Sequence, residues 1–422
     1  MQVIEHHGLA LKPKFWFKPK RMYPHLYLAL LFVHNLAQSA TPTPLDEIPG
    51  LAPFATATHT YDSNLLNRAD SGSGPAPQSD FIERVEIGTH VNFQLSRQKF
   101  SGALSLSDNR HQRFSERNTE GRAHHLRWDS EIGRTLVAAV EGRSISDQAP
   151  IQTGLITATQ RDQDIASASL NWKFHPNYSV VNQVSKTNTR FRGVENSSEA
   201  VLAGLNRDDE SSHIGVEYHP GTGSSLALLL KESNGRFPIR QITGPGESVS
   251  NDFDQNETEL LGKWKISDIT SMTLSLSSVQ RDHDEVQSRD FSGTNYRVEV
   301  FFKPTIKTNF NLLWGKQIVG ISDATNSDAL ARQLFLAMSM KITEKVLLKL
   351  AYRPQNLQFG GTDGLNTSPR TERVKEGSIS LEYQLYPRVS LGTNFQNRSR
   401  ETTLSNSDYS ANAISIFMKY EH

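Results

Sequence analysis

Charged side chains recur at every second position in several stretches of this chain. Arg84 and Glu86 are followed by His90; Arg127, Asp129 and Glu131 form a second run, and Arg297, Glu299 and Lys303 a third. On a β-strand such spacing places the groups on one face. Arginine brings five donors and a carboxylate only acceptors, so this face could exchange directed hydrogen bonds with the hydroxyls and carboxylates of a polar solute such as carbohydrate. The alternative role is structural, with the charges pairing among themselves to hold a shape.

Other chemistry is sparse. The chain has no G-x-S-x-G, no phosphate-binding glycine loop and no H-E-x-x-H. His124 and His125 are adjacent, and neighbours on a strand point to opposite faces, so the pair cannot act as one site. Arg281-Asp282-His283-Asp284-Glu285 offers hard oxygens that Ca²⁺, or a divalent ion bridging lipopolysaccharide, would accept; the alternative is a solvated loop. Cysteine is absent, which excludes disulfides and thiolate metal sites. We therefore expect no catalytic residues, no metal site and no cofactor. Lys+Arg and Asp+Glu balance at 45 each, so no net field points to nucleic acid.

The elements that position these charges are strands. In 81–95, Phe81, Val85, Ile87, Val91, Phe93 and Leu95 alternate with Arg84, Glu86, His90, Asn92 and Gln94. In 124–132, Leu126, Trp128 and Ile132 oppose Arg127, Asp129 and Glu131; in 296–303, Tyr296, Val298, Val300 and Phe302 oppose Arg297, Glu299 and Lys303. Short breaks punctuate the alternation at Arg97-Gln98, Gly133-Arg134, His175-Pro176-Asn177, Pro220-Gly221, Ser267-Asp268, Lys303-Pro304, Thr343-Glu344 and Pro387-Arg388. Between them lie long polar connections at 62–79, 108–120, 144–163, 186–212, 232–256, 281–294, 320–330, 355–373 and 398–409. The longest, 186–212 and 232–256, either fold inward or stand in solvent.

A hydrophobic content of 36% and a mean hydropathy of −0.50 exclude a helical membrane protein. They fit an outer-membrane barrel, in which only alternate residues meet lipid and short turns alternate with long loops. Eight short turns, a first strand near Phe54 and a last strand ending at Tyr420 predict an all-β, antiparallel up-and-down transmembrane barrel of eighteen strands, with sixteen as the nearest alternative. Trp172, Phe174, Tyr178, Tyr218, Trp264, Phe302, Tyr383, Tyr386 and Tyr420 lie beside short turns or the C-terminus, as a periplasmic aromatic girdle would. The last strand carries Ile414, Ile416, Met418 and Tyr420 on one face, similar to the C-terminal signal read by the barrel assembly machinery.

Residues 1–39 are expected to be a cleaved signal peptide. A basic run from Lys12 to Arg21 precedes Leu26–Leu36, too short to span a bilayer, and Ala37-Gln38-Ser39 supplies small residues for cleavage. Met22 is an alternative start. Residues 40–50 read as a periplasmic lead and 51–422 as the barrel.

The segment Phe54 to Arg68, with Tyr61, Asp62, Asn64, Leu65 and Arg68, resembles the opening of the EpsL family, and Ser79 to Phe100 is similar to that family's second strand and first turn. One departure is Asn67 before Arg68, where an arginine nearer the leucines would be expected. EpsL proteins are outer-membrane proteins of exosortase B-associated extracellular polysaccharide biosynthesis clusters in Gram-negative bacteria. The resemblance implies an outer-membrane barrel that serves polysaccharide export, with exopolysaccharide, lipopolysaccharide and possible export components as partners, and it supplies no catalytic residues. The alternatives are a general or substrate-selective porin and a non-conducting scaffold.

Overall fold

Apolar β-branched and aromatic residues alternating with polar ones form twenty strands. These are β1 (Leu51–Asp62), β2 (Asp80–Leu95), β3 (Gln98–His111), β4 (Thr119–Ile132), β5 (Leu136–Gln148), β6 (Thr159–His175), β7 (Tyr178–Gly193), β8 (Arg207–Tyr218), β9 (Ser225–Arg236), β10 (Gln241–Gly244), β11 (Glu247–Val249), β12 (Phe253–Ser267), β13 (Thr270–His283), β14 (Phe291–Thr305), β15 (Thr308–Gly320), β16 (Asp328–Lys341), β17 (Val346–Phe359), β18 (Thr371–Tyr386), β19 (Val389–Thr402) and β20 (Tyr409–Glu421). The computed structural model describes residues 50–422 except 71–74, 150–158, 194–203, 245–246, 321–327 and 360–369. The expected signal peptide, and the expected lead apart from Gly50, lie outside the described residues.

Eighteen strands form one antiparallel sheet, while β10 and β11 make a separate hairpin in the connection from β9 to β12. Each barrel strand pairs with its neighbour in sequence, and β1 also pairs with β20 from Phe54↔Glu421 to Asp62↔Ala413. The sheet is therefore closed, leaving its ladder no free edge, as a hydrocarbon surround requires.

The eight short turns stand as expected but for one. The break expected at Lys303-Pro304 falls inside β14, and the chain reverses at Ile306-Lys307. Pro304 has no N–H for the ladder, so pairing lapses between Phe302 and Thr305 and the strand runs on before turning. At the opposite end the strands extend further than their alternation suggested: β7 runs to Gly193 and β8 begins at Arg207, inside the connection expected over 186–212, and β9 runs to Arg236 and β12 begins at Phe253, inside that expected over 232–256.

The side-chain distribution is inside-out. Leu95 is 68% exposed, Leu106 61% and Ile416 59%, whereas alanines such as Ala55, Ala227, Ala331 and Ala411 are the commonest of the buried apolar residues. Two stacked sheets would have buried Phe93 and Ile416. The register puts Phe93, Leu104, Leu126, Val140, Leu170, Val184, Ile214 and Leu228 on one continuous outer face. An apolar surface of that extent is stable only against lipid.

Trp172, Phe174, Tyr178, Tyr218, Trp264, Phe302, Tyr383 and Tyr386 are exposed at the short-turn end, as a girdle should be. Tyr420 is the exception, at 2% exposure. It packs against Ala55 and Val389 beside Met418, where first and last strands meet, so its ring seals the seam.

Candidate functional site: the lumen wall

The inner positions combine small residues with charged clusters. On β3 they are Ser101, Ala103, Ser105 and Ser107, and on β13 Ser271, Thr273, Ser275 and Ser277. These leave room above the sheet for longer side chains from neighbouring strands.

Arg127 forms the densest expected cluster. Its Nε and Nη2 donate to Asp129 at 2.9 and 2.7 Å, its Nη1 donates to Glu141 at 2.9 Å, and His125 Nε2 lies 3.0 Å from Glu141. His124 occupies the outward row with Leu104 and Ser144, so the two histidines face opposite ways as expected. Glu131 is exposed near the turn.

Arg84 Nη2 donates to Glu86 at 3.0 Å and its Nη1 to Asn109 at 3.3 Å. His90 lies with its ring 4.8 Å from that of Phe54. Gly88 makes this approach possible, since a Cβ there would collide with the Phe54 ring. Arg297 donates to Glu299 at 3.3 Å. Lys303 sits exposed in the irregular stretch before the turn. The structure thus joins Arg84 to Glu86, Arg127 to Asp129 and Arg297 to Glu299, but on β2, β4 and β14 the three arginines remain in separate groups.

Sequence reasoning missed further inward groups. Lys231 Nζ lies 2.5 Å from Glu259 and 3.9 Å from Glu257, and Ser275 also donates to Glu259. Lys349 Nζ donates to Glu382 at 3.2 Å, Ser390 Oγ donates to the same carboxylate at 2.7 Å, and Arg353 pairs with Glu376. The signal was available in part, because Glu257-x-Glu259 has the same two-residue spacing. The lysine partners come from other strands, which spacing cannot reveal.

The residues that carry the family resemblance form a different structure. Asp62 accepts from Arg398 Nη2 at 2.6 Å and from the backbone N–H of Asn64 at 2.9 Å. Asn64, 1% exposed, donates from Nδ2 to the carbonyls of Arg68 and Ser410 and accepts the Arg68 N–H. Leu65 is buried, and Tyr61 stacks obliquely on Phe81 at 5.1 Å. Together they fix the first loop to the start of β20.

The run 281–285 does not converge on an ion. Arg281 lies 4.0 Å over the Phe253 ring, Asp282 accepts from Gln280, His283 is buried, and Glu285 accepts from Arg240. Among the described residues no group of three His, Cys, Asp or Glu could hold a metal ion.

A family model described as "Putative beta-barrel porin 2" matches residues 273–422, the last 150 of 422. The protein is an outer-membrane β-barrel whose last third is similar to that family. No curated protein sequence matches it. Among solved structures, the outer membrane protein OpdK from Pseudomonas aeruginosa is 11% identical, with a TM-score of 0.47 over 88% of this chain and 99% of its own. OccK2 (OpdF) from the same organism, solved in complex with glucuronate, is 10% identical, with a TM-score of 0.48 over 88% and 98%. The siderophore receptor PirA from Acinetobacter baumannii is 7% identical, with a TM-score of 0.44 over 89% and 81%.

Proposed function

We propose that this barrel passes polar solutes bearing hydroxyls and carboxylates across the outer membrane. The half-exposed inner arginines support this most directly: Arg84, Arg127 and Arg297 keep side-chain exposures of 46%, 38% and 48% while paired. Pairs this exposed are worth about 0–1 kcal/mol, so a passing solute can replace the carboxylate partner and be released again. Weak, repeated contacts suit passage better than one tight site. Eighteen strands also enclose a lumen wide enough for an aqueous channel.

Single-channel recording in planar bilayers tests the proposal. The wild-type protein should conduct, and replacing Arg84, Arg127 and Arg297 together by alanine should shift selectivity toward cations while the barrel still assembles. A silent wild-type barrel would favour the scaffold.

A second proposal is export of an extracellular polysaccharide, favoured by the EpsL-like residues at 54–68 and 79–100. The polymer would use the same polar wall, with exopolysaccharide and other export components as partners and delivery to the membrane by the barrel assembly machinery. A deletion strain separates the two. Lost secretion of polymer favours export, and lost uptake of a small solute with normal secretion favours the porin.

A further inference from the structure

Cations on the outer face are neutralised across much of the barrel. Near the long-loop ends Arg110 meets Asp108, Lys186 meets Glu210, Arg190 meets Asp208, Arg192 meets Asp162 and Arg236 meets Asp254. The sector from β15 to β19 departs from this pattern. Lys316 and Arg332 are register partners on the outward row, and among the described residues neither has an ion-pair partner. Arg373 and Lys375 on β18 share one carboxylate, Glu401, at 3.9 and 2.8 Å. Like charges directly opposite on a sheet repel, so this cluster favours an anion from outside the chain.

A cleft of 400 Å³ opens among these residues, its lining including Arg332, Arg373, Glu401, Asp408 and Glu372, the last already paired with Arg370 at 2.7 Å. Of its three carboxylates Glu372 is held by Arg370, so Glu401 and Asp408 are left to face Arg332 and Arg373 in the cleft and Lys316 and Lys375 beside it on the outward rows. Nearer the membrane midplane, the same strands form an apolar groove of 780 Å³ with walls that include Leu336, Met338, Ile379 and Phe395. Gly377 opens its floor, leaving the Tyr352 ring 3.8 Å from where a Cβ would stand. Pairing of β16 with β17 lapses beside it, between Gln333↔Gln355 and Leu336↔Tyr352, where Pro354 has no N–H to donate. Arg373 and Gly377 are four residues apart on one strand, about 13 Å at the usual rise. Headgroup and acyl chain of one amphiphile can span that distance.

We infer that this outer sector is a docking site for a phosphorylated, acylated glycolipid of the outer leaflet. Its phosphate lies between Arg332 and Arg373, and an acyl chain lies in the groove. The guanidinium forks suit phosphate oxygens. A zwitterionic phospholipid would bring its own cation and gain less from the cluster.

Native mass spectrometry of the full barrel, delipidated and titrated with bisphosphorylated lipid A in detergent, tests the site. Lys316→Gln with Arg332→Gln should weaken binding about thirty-fold, as two surface cations at ~1 kcal/mol each require. Gly377→Trp, which fills the groove and leaves the cations in place, should also weaken it, whereas Arg110→Gln should not. Dephosphorylated lipid A should bind the wild type as weakly as lipid A binds the double variant, and inorganic phosphate should not displace it. All variants must keep heat-modifiable gel mobility. Unchanged binding by the double variant, or displacement by inorganic phosphate alone, would overturn the assignment. So would a dimer in detergent that Gly377→Trp abolishes, since the sector would then belong to a second copy.

Discussion

Arg398 on β19 donates a 2.6 Å hydrogen bond to Asp62 at the end of β1, passing over β20 between them. Beneath the pair lie Ala411 and Ala413, both buried, whose small side chains let the two groups meet above the last strand. Thr60 and Ser415 hydroxyls add a 2.9 Å bond across the same seam, and Asn412 N–H donates to Ser63 Oγ at 2.8 Å. The two ends of the sheet are thus held by side chains as well as by the ladder.

Asp62→Ala should therefore be among the more damaging inner-wall substitutions. It leaves Arg398 without its carboxylate in a partly buried place, and breaking such a pair costs about 3 kcal/mol. Asp129→Ala, at a far more exposed pair, should cost about 1 kcal/mol or less. Urea midpoints of the barrel refolded in phospholipid vesicles would compare them, and equal losses would mean that the seam has no special weight.

The outer face gives a parity test. Val298→Arg or Ile416→Arg should cost about 2–4 kcal/mol near the midplane, whereas Arg at their neighbours Glu299 or Ser415 should cost much less. Equal losses at both parities in the same refolding assay would reverse the facing assignment.

Orientation can be read with epitope tags. Tags at Ser96-Arg97 or Pro176-Asn177, in short turns, should be hidden from antibody on intact cells, and a tag within 112–118 should be reached. The opposite pattern would invert the barrel in the membrane.

An external latch predicts a pH dependence. Arg240, in the connection that carries the β10–β11 hairpin, donates to both oxygens of Glu285 at 2.7 and 2.6 Å. These bonds, with a further one from the Ser250 N–H, hold the Glu285 carboxyl below its ordinary range. A lowered acid stabilises the folded state above its unfolded pKa and loses that contribution as pH falls through the folded value. Hydrogen exchange at Ser250 should therefore stay slow, after correction for intrinsic rates, down to the ordinary glutamate range and quicken only below it. Glu285→Gln should abolish that step, leaving exchange faster at neutral pH.

Several features were already legible in the residue pattern. Alternation in 81–95, 124–132 and 296–302 assigned the faces that the register confirms, because side-chain direction on a strand depends only on parity. The eighteen-strand count followed from eight breaks, although Pro304 shifted one of them by removing a ladder donor rather than making the turn. Pairing between distant strands was not legible. Asp62 and Arg398 are 336 positions apart, and nothing local in either segment encodes that barrel closure brings them together. For the same reason the tertiary structure alone decided that Tyr420 seals the seam instead of joining the girdle, and that Glu141 completes the Arg127 cluster. Local alternation is set by backbone geometry, which each strand carries by itself; the partners of inward and outward charges are set by register across the closed sheet, which only the whole fold fixes.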